Sequence, residues 1–338
     1  SRIRATTIGL LLTSACLWLS LTNNIEAGRI KERINYIIYD LQVKHRLPKA
    51  PEPDSRITII DIDSRSLQAE GQWPWSRKKM ARLLNCLWEA DVAVVAFDVF
   101  FPEPEHNRAR DVAEYLSSNN ADSQIIETIR SIEDDFDYDR KLAETISEGE
   151  VVLGYYFDFE PFQSTGHPPL SSIPIPPEGF NSIDAPLYRS FTSNITQLAE
   201  ASIGTGAINS HYDLDGAVRR YPLISRFEDR LYPSLALETV KTYLLDDTFK
   251  LEINNGFLEQ VVLSNRVIPV DNQGLTPIPY RGSARTFRYI SATDILNGNY
   301  NPNHLEAHII LIGATAIGLE DLRPTPVDKA FPGVEIHA

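Results

Sequence analysis

Three carboxylates, Asp61, Asp63 and Asp98, form the clearest chemical pattern in this chain. Asp61 lies within the apolar run Ile57–Ile62 and Asp63 just after it. They are two positions apart, which puts both on one face of a strand. Asp98 sits late in a second apolar run, residues 92–101. If the two strands are parallel neighbours, all three carboxylates meet at the carboxyl end of a sheet, the edge where open α/β folds bind ligands. Clustered carboxylates repel one another, and a hard cation such as Ca²⁺ or Mg²⁺, or a cationic small ligand, relieves that repulsion. Asp61, Asp63 and Asp98 are therefore the candidate metal and ligand residues. A plainer expectation stands beside this one. Asp63 N-caps a short helix at residues 64–67, and Asp98 pairs with an arginine.

A strand ending in Asp-x-Asp also resembles the opening of haloacid dehalogenase-type phosphatases. That resemblance implies Asp61 as nucleophile and Asp63 as general acid. It is a fragment. The late strand continues Ile312-Gly313-Ala314-Thr315, with no Asp after the glycine, and Ser64 and Arg65 stand where Thr or Val is usual. Trp73, Trp75 and Arg77 supply a second candidate, an aromatic and cationic wall for a ligand. The alternative is an apolar clamp at a helix entrance, with Ser76 as its cap. Gly204-Thr205-Gly206 lacks the third glycine and the following helix of a dinucleotide fingerprint. Asp213-Leu214-Asp215-Gly216 lacks the later ligands of a calcium loop and reads as a tight turn. The seven histidines show no metal-ligand spacing, and His337 reads as structural or interfacial. Neither a Gly-x-Ser-x-Gly elbow nor a phosphate-cradling loop is present.

The elements that must position these groups follow from periodicity. Ile57–Ile62 reads as a strand, residues 76–90 as an amphipathic helix through Met80, Leu83, Leu84, Leu87 and Trp88, and residues 92–101 as a second strand. Two nearly all-apolar strands around a helix predict a parallel pair buried on both faces. The acidic residues 102–137 read as an exposed excursion, helical around 122–132. A helix at 139–148, the strand Val151–Asp158, a helix at 233–245 and a strand at 308–313 continue the alternation. Residues 201–210 and 217–226 predict a hairpin around the Asp213–Gly216 turn, and 249–280 short strands with Asn-Gly and Gln-Gly turns. Ser291 and Asp294 suggest a capping box. Seven prolines between 161 and 186 mark a long loop. The expected fold is mixed α/β, with a largely parallel central sheet flanked by helices and antiparallel hairpins added.

Composition narrows the function classes. The 338 residues carry 32 Lys and Arg against 46 Asp and Glu, a net charge of −14. That excludes non-specific nucleic-acid binding and a polybasic membrane-surface role. Two cysteines, Cys16 and Cys86, lie in different settings and predict no disulfide.

Residues 5–21 carry no charge and, as a helix, span roughly 26 Å, just under the hydrocarbon core of a bilayer. A membrane span over residues 1–22 is favoured over a signal peptide or a core helix, because Ile25-Glu26-Ala27 is a poor cleavage site. Charges on both sides leave its orientation open. Residues 23–53 then form an amphipathic helix and a Pro linker. Ile30, Ile34, Ile37, Ile38 and Leu41 lie on one side of that helix, which suggests a homodimer element. The main domain is placed at 54–338.

Motifs in order along the chain resemble the second type of CHASE domain, the cyclase/histidine-kinase-associated sensory extracellular domains. They are Tyr39-Asp40-Leu41, IIDIDSRSL at 59–67, GQWPWSR at 71–77, AFDVFF at 96–101, and Asp139 with Leu142-Ala143. DLDGAVRRYPL follows at 213–223, then PSLALE at 233–238, TFRYISATDIL at 286–296, IILIGATAIGLED at 309–321, Thr325-Pro326 and PGVEIHA at 332–338. The resemblance covers residue 40 to the end. It implies an extracytoplasmic sensor in the cell membrane, in the periplasm or outside the cell, with no catalytic residues of its own. It also implies a longer receptor with a cytoplasmic output, since family outputs include adenylate or guanylate cyclases, histidine kinases, diguanylate cyclases and serine/threonine kinases; a nucleotide cyclase is the expected one here. The family supplies no agreed ligand, so the acidic edge remains an inference from the residues alone.

Overall fold

Strands that are apolar at nearly every position are explained by a sheet covered on both sides. The computed structural model describes residues 7, 13, 14, 25–47, 56–174, 183–246, 249–316, 318, 319 and 321–338. Its central sheet contains seven strands: β1 (Ile57–Ile62), β2 (Val94–Phe97), β3 (Val151–Asp158), β4 (Ser190–Thr192), β5 (Gly204–Ala207), β6 (Arg288–Ser291) and β7 (Ile309–Ala314). The order runs β6-β1-β7-β2-β3, and β3 pairs in parallel with β5 and antiparallel with β4. All the other pairings are parallel.

Side chains alternate across this sheet with period two. Ile60, Ile62, Val95, Phe97, Leu153, Ile310 and Ile312 face one layer of helices. That layer holds α3 (Arg77–Trp88), which contributes Met80, Leu83, Leu84 and Leu87, and α4 (Tyr138–Ile146). Ile59, Val94, Ala96, Val152 and Leu311 face the other side, where α5 (Leu235–Leu244) packs through Leu235. Ser76 and Ser234 cap α3 and α5, each accepting from a backbone N–H three residues on. A third core holds the smaller strands, including the hairpin Phe249–Asn254 with Phe257–Leu263. Asn255 and Gly256 at its turn both have positive φ, 51° and 81°, as an Asn-Gly hairpin requires.

Several expectations are corrected. β1 and β2 share the sheet but are not neighbours, because β7 lies between them and pairs with both. Residues 201–226 form no hairpin. β5 pairs with β3, and Arg220–Pro222 pairs with Leu275–Pro277. The acidic excursion holds an α-helix that was not expected, Arg108–Ser118, beside Ser123–Arg130, and a 3₁₀ turn at Glu133–Phe136. Ser291 makes no capping bond, because its hydroxyl donates to Asp63.

Helix α1 (Ile25–Arg46) precedes the sheet. The expected membrane span and the Pro linker lie almost wholly outside the described residues, as does Cys16. Among the described residues no helix is long and apolar enough to cross a membrane.

Candidate functional site

Asp61 ends up inside the protein, 1% exposed, near the end of β1. Both its oxygens accept from the Thr315 hydroxyl, at 2.7 and 2.8 Å, and Oδ2 also accepts from Arg285 Nη2 at 3.1 Å. Burial raises its pKa, and the Thr315 and Arg285 contacts only partly offset that. Asp63 does what the plainer expectation held. Its Oδ1 accepts from the Ser66 N–H at 2.7 Å and caps α2 (Ser64–Glu70). Asp98 lies 3.2 Å from His337 Nε2, so its partner is a histidine rather than an arginine.

The expected metal cluster does not form. β7 separates the strands that carry Asp61 and Asp98, and no group of three His, Cys, Asp or Glu suited to a metal ion occurs among the described residues. A phosphatase nucleophile needs an open carboxylate oxygen, and Asp61 presents a buried, hydrogen-bonded one.

The Trp-Pro-Trp stretch forms the clamp and not the ligand wall. Trp73 and Trp75 meet edge to face at 6.0 Å, and the Trp75 indole N–H donates to Gly71 O. The Arg77 side chain is buried over the Phe101 ring, and donates to Asp139 Oδ1 and Glu103 O.

Sequence reasoning missed a buried ion cluster around Arg219. The Arg219 side chain is 5% exposed and meets three carboxylates. Nε and Nη2 fork onto Asp40 of α1 at 2.7 and 3.0 Å. Nη1 donates to Asp213 at 3.0 Å, and Nη1 and Nη2 both donate to Asp215 at 2.8 Å. These bonds use all five guanidinium N–H groups. The cation also lies over the Tyr36 ring of α1. Burial opposes its charge, but the hydrogen bonds it donates to Asp215, Asp40 and Asp213 outweigh burial and raise its pKa. Arg220 continues the cluster to Asp213 and Asp271, with His211 3.3 Å from its Nη2. The signal was present in part. Asp-x-Asp-Gly-x-x-Arg places two of the carboxylates beside Arg219, whereas Asp40 lies 179 residues away.

A second tether gathers near the end of the chain. Glu335, buried in α6 (Gly333–His337), accepts from the backbone N–H groups of Arg285, Thr286 and Phe287 and from the Tyr289 hydroxyl. His337 Nδ1 lies 2.7 Å from the Tyr221 hydroxyl, and its other nitrogen faces Asp98. Along β6, the sheet's edge strand, an open polar cleft of about 450 Å³ is lined by Asp61, Arg65, Arg285, Arg288, Asp294 and His304, among others.

This is a mixed α/β domain whose buried carboxylates Asp61, Asp213 and Glu335 hold segments together, with α1 fastened to it through Asp40. The CHASE2 domain model matches residues 10–338, and the chain belongs to that family. CHASE2 domains are extracellular sensory domains, which is consistent with a sensor role and with the absence of catalysis in this segment. No curated protein and no solved structure matches the chain.

Proposed function

We propose that this chain is the extracytoplasmic sensor of a membrane-bound receptor. It feeds a cytoplasmic nucleotide cyclase and works as a homodimer. The observation that carries the reading is the Arg219–Asp40 fork. A helix expected to rise from a membrane is fastened to the sensory domain by a buried, fully hydrogen-bonded cation. Rearrangement of the domain around Arg219 therefore moves that helix, as a two-state signal relay needs.

The dimer rests on the other side of α1. Tyr36, Tyr39, Asp40 and Val43 turn toward the domain and are partly covered. Ile30, Ile34, Ile37, Ile38 and Leu41 are left 43–62% exposed. Ile30, Ile34, Ile37 and Leu41 follow the alternating three- and four-residue spacing of a coiled-coil seam. A second copy of the same helix is the occupant that matches this spacing.

Protease accessibility tests the location. With the chain expressed in a bacterial host, the reading expects the domain to be digested while the cytoplasmic membrane is still sealed. Protection until that membrane is permeabilised would overturn it.

A further inference from the structure

The cleft along β6 lies where the sequence suggested a cation, yet its unspent chemistry has the opposite sign. Each carboxylate there already has donors. Asp61 holds Thr315 and Arg285, Asp63 holds the Ser66 N–H and the Ser291 hydroxyl, and Asp294 holds Arg65 through both oxygens. The arginines keep donors in hand. Arg285 uses Nη2 alone, on Asp61 and Thr315, so its Nε and Nη1 have no partner among the described residues. Arg288 donates through Nη1 to the His304 carbonyl, which leaves its Nε and Nη2 without one. The Arg285 guanidinium lies 4.7 Å from the Tyr289 ring centre and pairs with Asp61 at 3.1 Å, two contacts that orient it. Oriented guanidinium N–H pairs form short, charge-assisted bonds to carboxylate and phosphate oxygens.

We infer that this cleft binds a small oxyanion-bearing ligand, a carboxylate or a phosphate, through Arg285 and Arg288. This rests on the sensor reading and gives it a ligand class. The site is wired to the end of the chain. The backbone of residues 285–287, which carries Arg285, donates all three of its N–H groups to Glu335. Tyr289, under the same guanidinium, donates its hydroxyl to Glu335 as well. An anion drawing on Arg285 competes with Asp61 for that cation. It shifts a segment that is hydrogen-bonded to α6 through one carboxylate, Glu335.

The test is calorimetric titration of the full chain in non-ionic detergent, with inorganic phosphate and with succinate as separate probes. Sodium chloride at matched ionic strength is the control. Saturable binding of either probe at millimolar concentration or below, weakened at least tenfold in Arg288→Gln, is the expected result. Phosphate alone would assign a phosphoryl ligand and succinate alone a carboxylate. Arg288→Gln is the primary variant because its guanidinium makes one bond, to a carbonyl. Arg285→Gln also unpairs the buried Asp61. Amide hydrogen exchange at residues 285–289 and 333–337 should slow together on binding. No saturable binding of either probe, or equal binding by wild type and Arg288→Gln, would overturn the inference. Neither outcome touches the protease result, so failure of the site and failure of the sensor reading remain distinguishable.

Discussion

Arg219 grips Asp40 with two parallel hydrogen bonds, 2.7 Å from Nε to Oδ1 and 3.0 Å from Nη2 to Oδ2. The bidentate geometry requires the planar fork of arginine, which a lysine ammonium cannot reproduce. Asp213 and Asp215 hold Arg219 from the other side, so the domain keeps the cation whether or not α1 is docked. That asymmetry makes the helix the releasable partner.

Asp40→Asn should therefore loosen α1 while the sheet stays folded. The expected loss is about 1.5–3 kcal/mol, the range for hydrogen bonds to a charged group. Hydrogen exchange gives the sharper readout. Amides of α1 should exchange faster, and those of β1 and β3 should not change. Arg219→Lys should do the same through loss of the fork. In a receptor with the proposed cyclase output, both variants should alter cyclic-nucleotide production. Unchanged exchange in α1 would mean that the fork does not hold the helix.

Removal of the exposed stripe should separate the copies without unfolding either one. Ile34→Ala with Leu41→Ala takes apolar surface from a face that is already in solvent. The change in monomer stability should stay within about 0.5 kcal/mol, as for other surface substitutions. Sedimentation should show dimer in the wild type and monomer in the double variant. An unchanged oligomeric state would place the interface elsewhere, and a monomeric wild type would remove it.

Gly204-Thr205-Gly206, dismissed as a nucleotide fingerprint, has a packing explanation. A Cβ on Gly206 would sit 2.4 Å from Leu235 Cα and 2.7 Å from Leu235 N, both backbone atoms at the start of α5. Backbone cannot swing aside as a flexible side chain can, so β5 and α5 would have to move apart. Gly206→Ala should cost about 1–3 kcal/mol, as overpacking does. Urea titration would show this as a lower midpoint at unchanged slope.

Local pattern and long-range partnership differ in how well the sequence shows them. β1 and β3 fall on the residues that their apolar runs mark, because period and length are local properties. The insertion of β7 between β1 and β2 was not legible. Buried parallel strands of Val, Ile and Leu carry no mark of which neighbour they take. The aspartates show the same limit. Asp63 as a helix cap follows from its spacing to Ser66 and was foreseen. The side chains that face Asp61 and Asp98 lie 224 residues away in one case and beside residue 338 in the other. A carboxylate whose partner is that remote reads, in sequence, like one waiting for a metal.

Acidification tests the Arg219–Arg220 cluster from another direction. Burial, and then the Arg220 charge, lower the His211 pKa, with Asp213 and Asp271 opposing them. Its Nε2 faces an arginine N–H at 3.3 Å and accepts there only as neutral imidazole. The unfolded chain protonates His211 near pH 6.5, before the folded chain does. Below that pH the unfolded state binds the extra proton, so stability is fully present above about 6.5 and falls as pH drops toward the folded value. His308 adds to the same slope, its pKa lowered by burial and by Arg288, Arg56 and His304. Asp61, with its pKa raised by burial, works the other way at lower pH. The native state takes its proton first, which favours the fold as pH falls toward the ordinary carboxylate range. Denaturant unfolding at successive pH values should thus show a decline that begins near 6.5. His211→Gln should flatten part of that decline, and His211→Gln with His308→Gln more of it. If the single variant keeps the full wild-type slope, His211 is not held neutral by Arg220, and the cluster is looser than its distances imply.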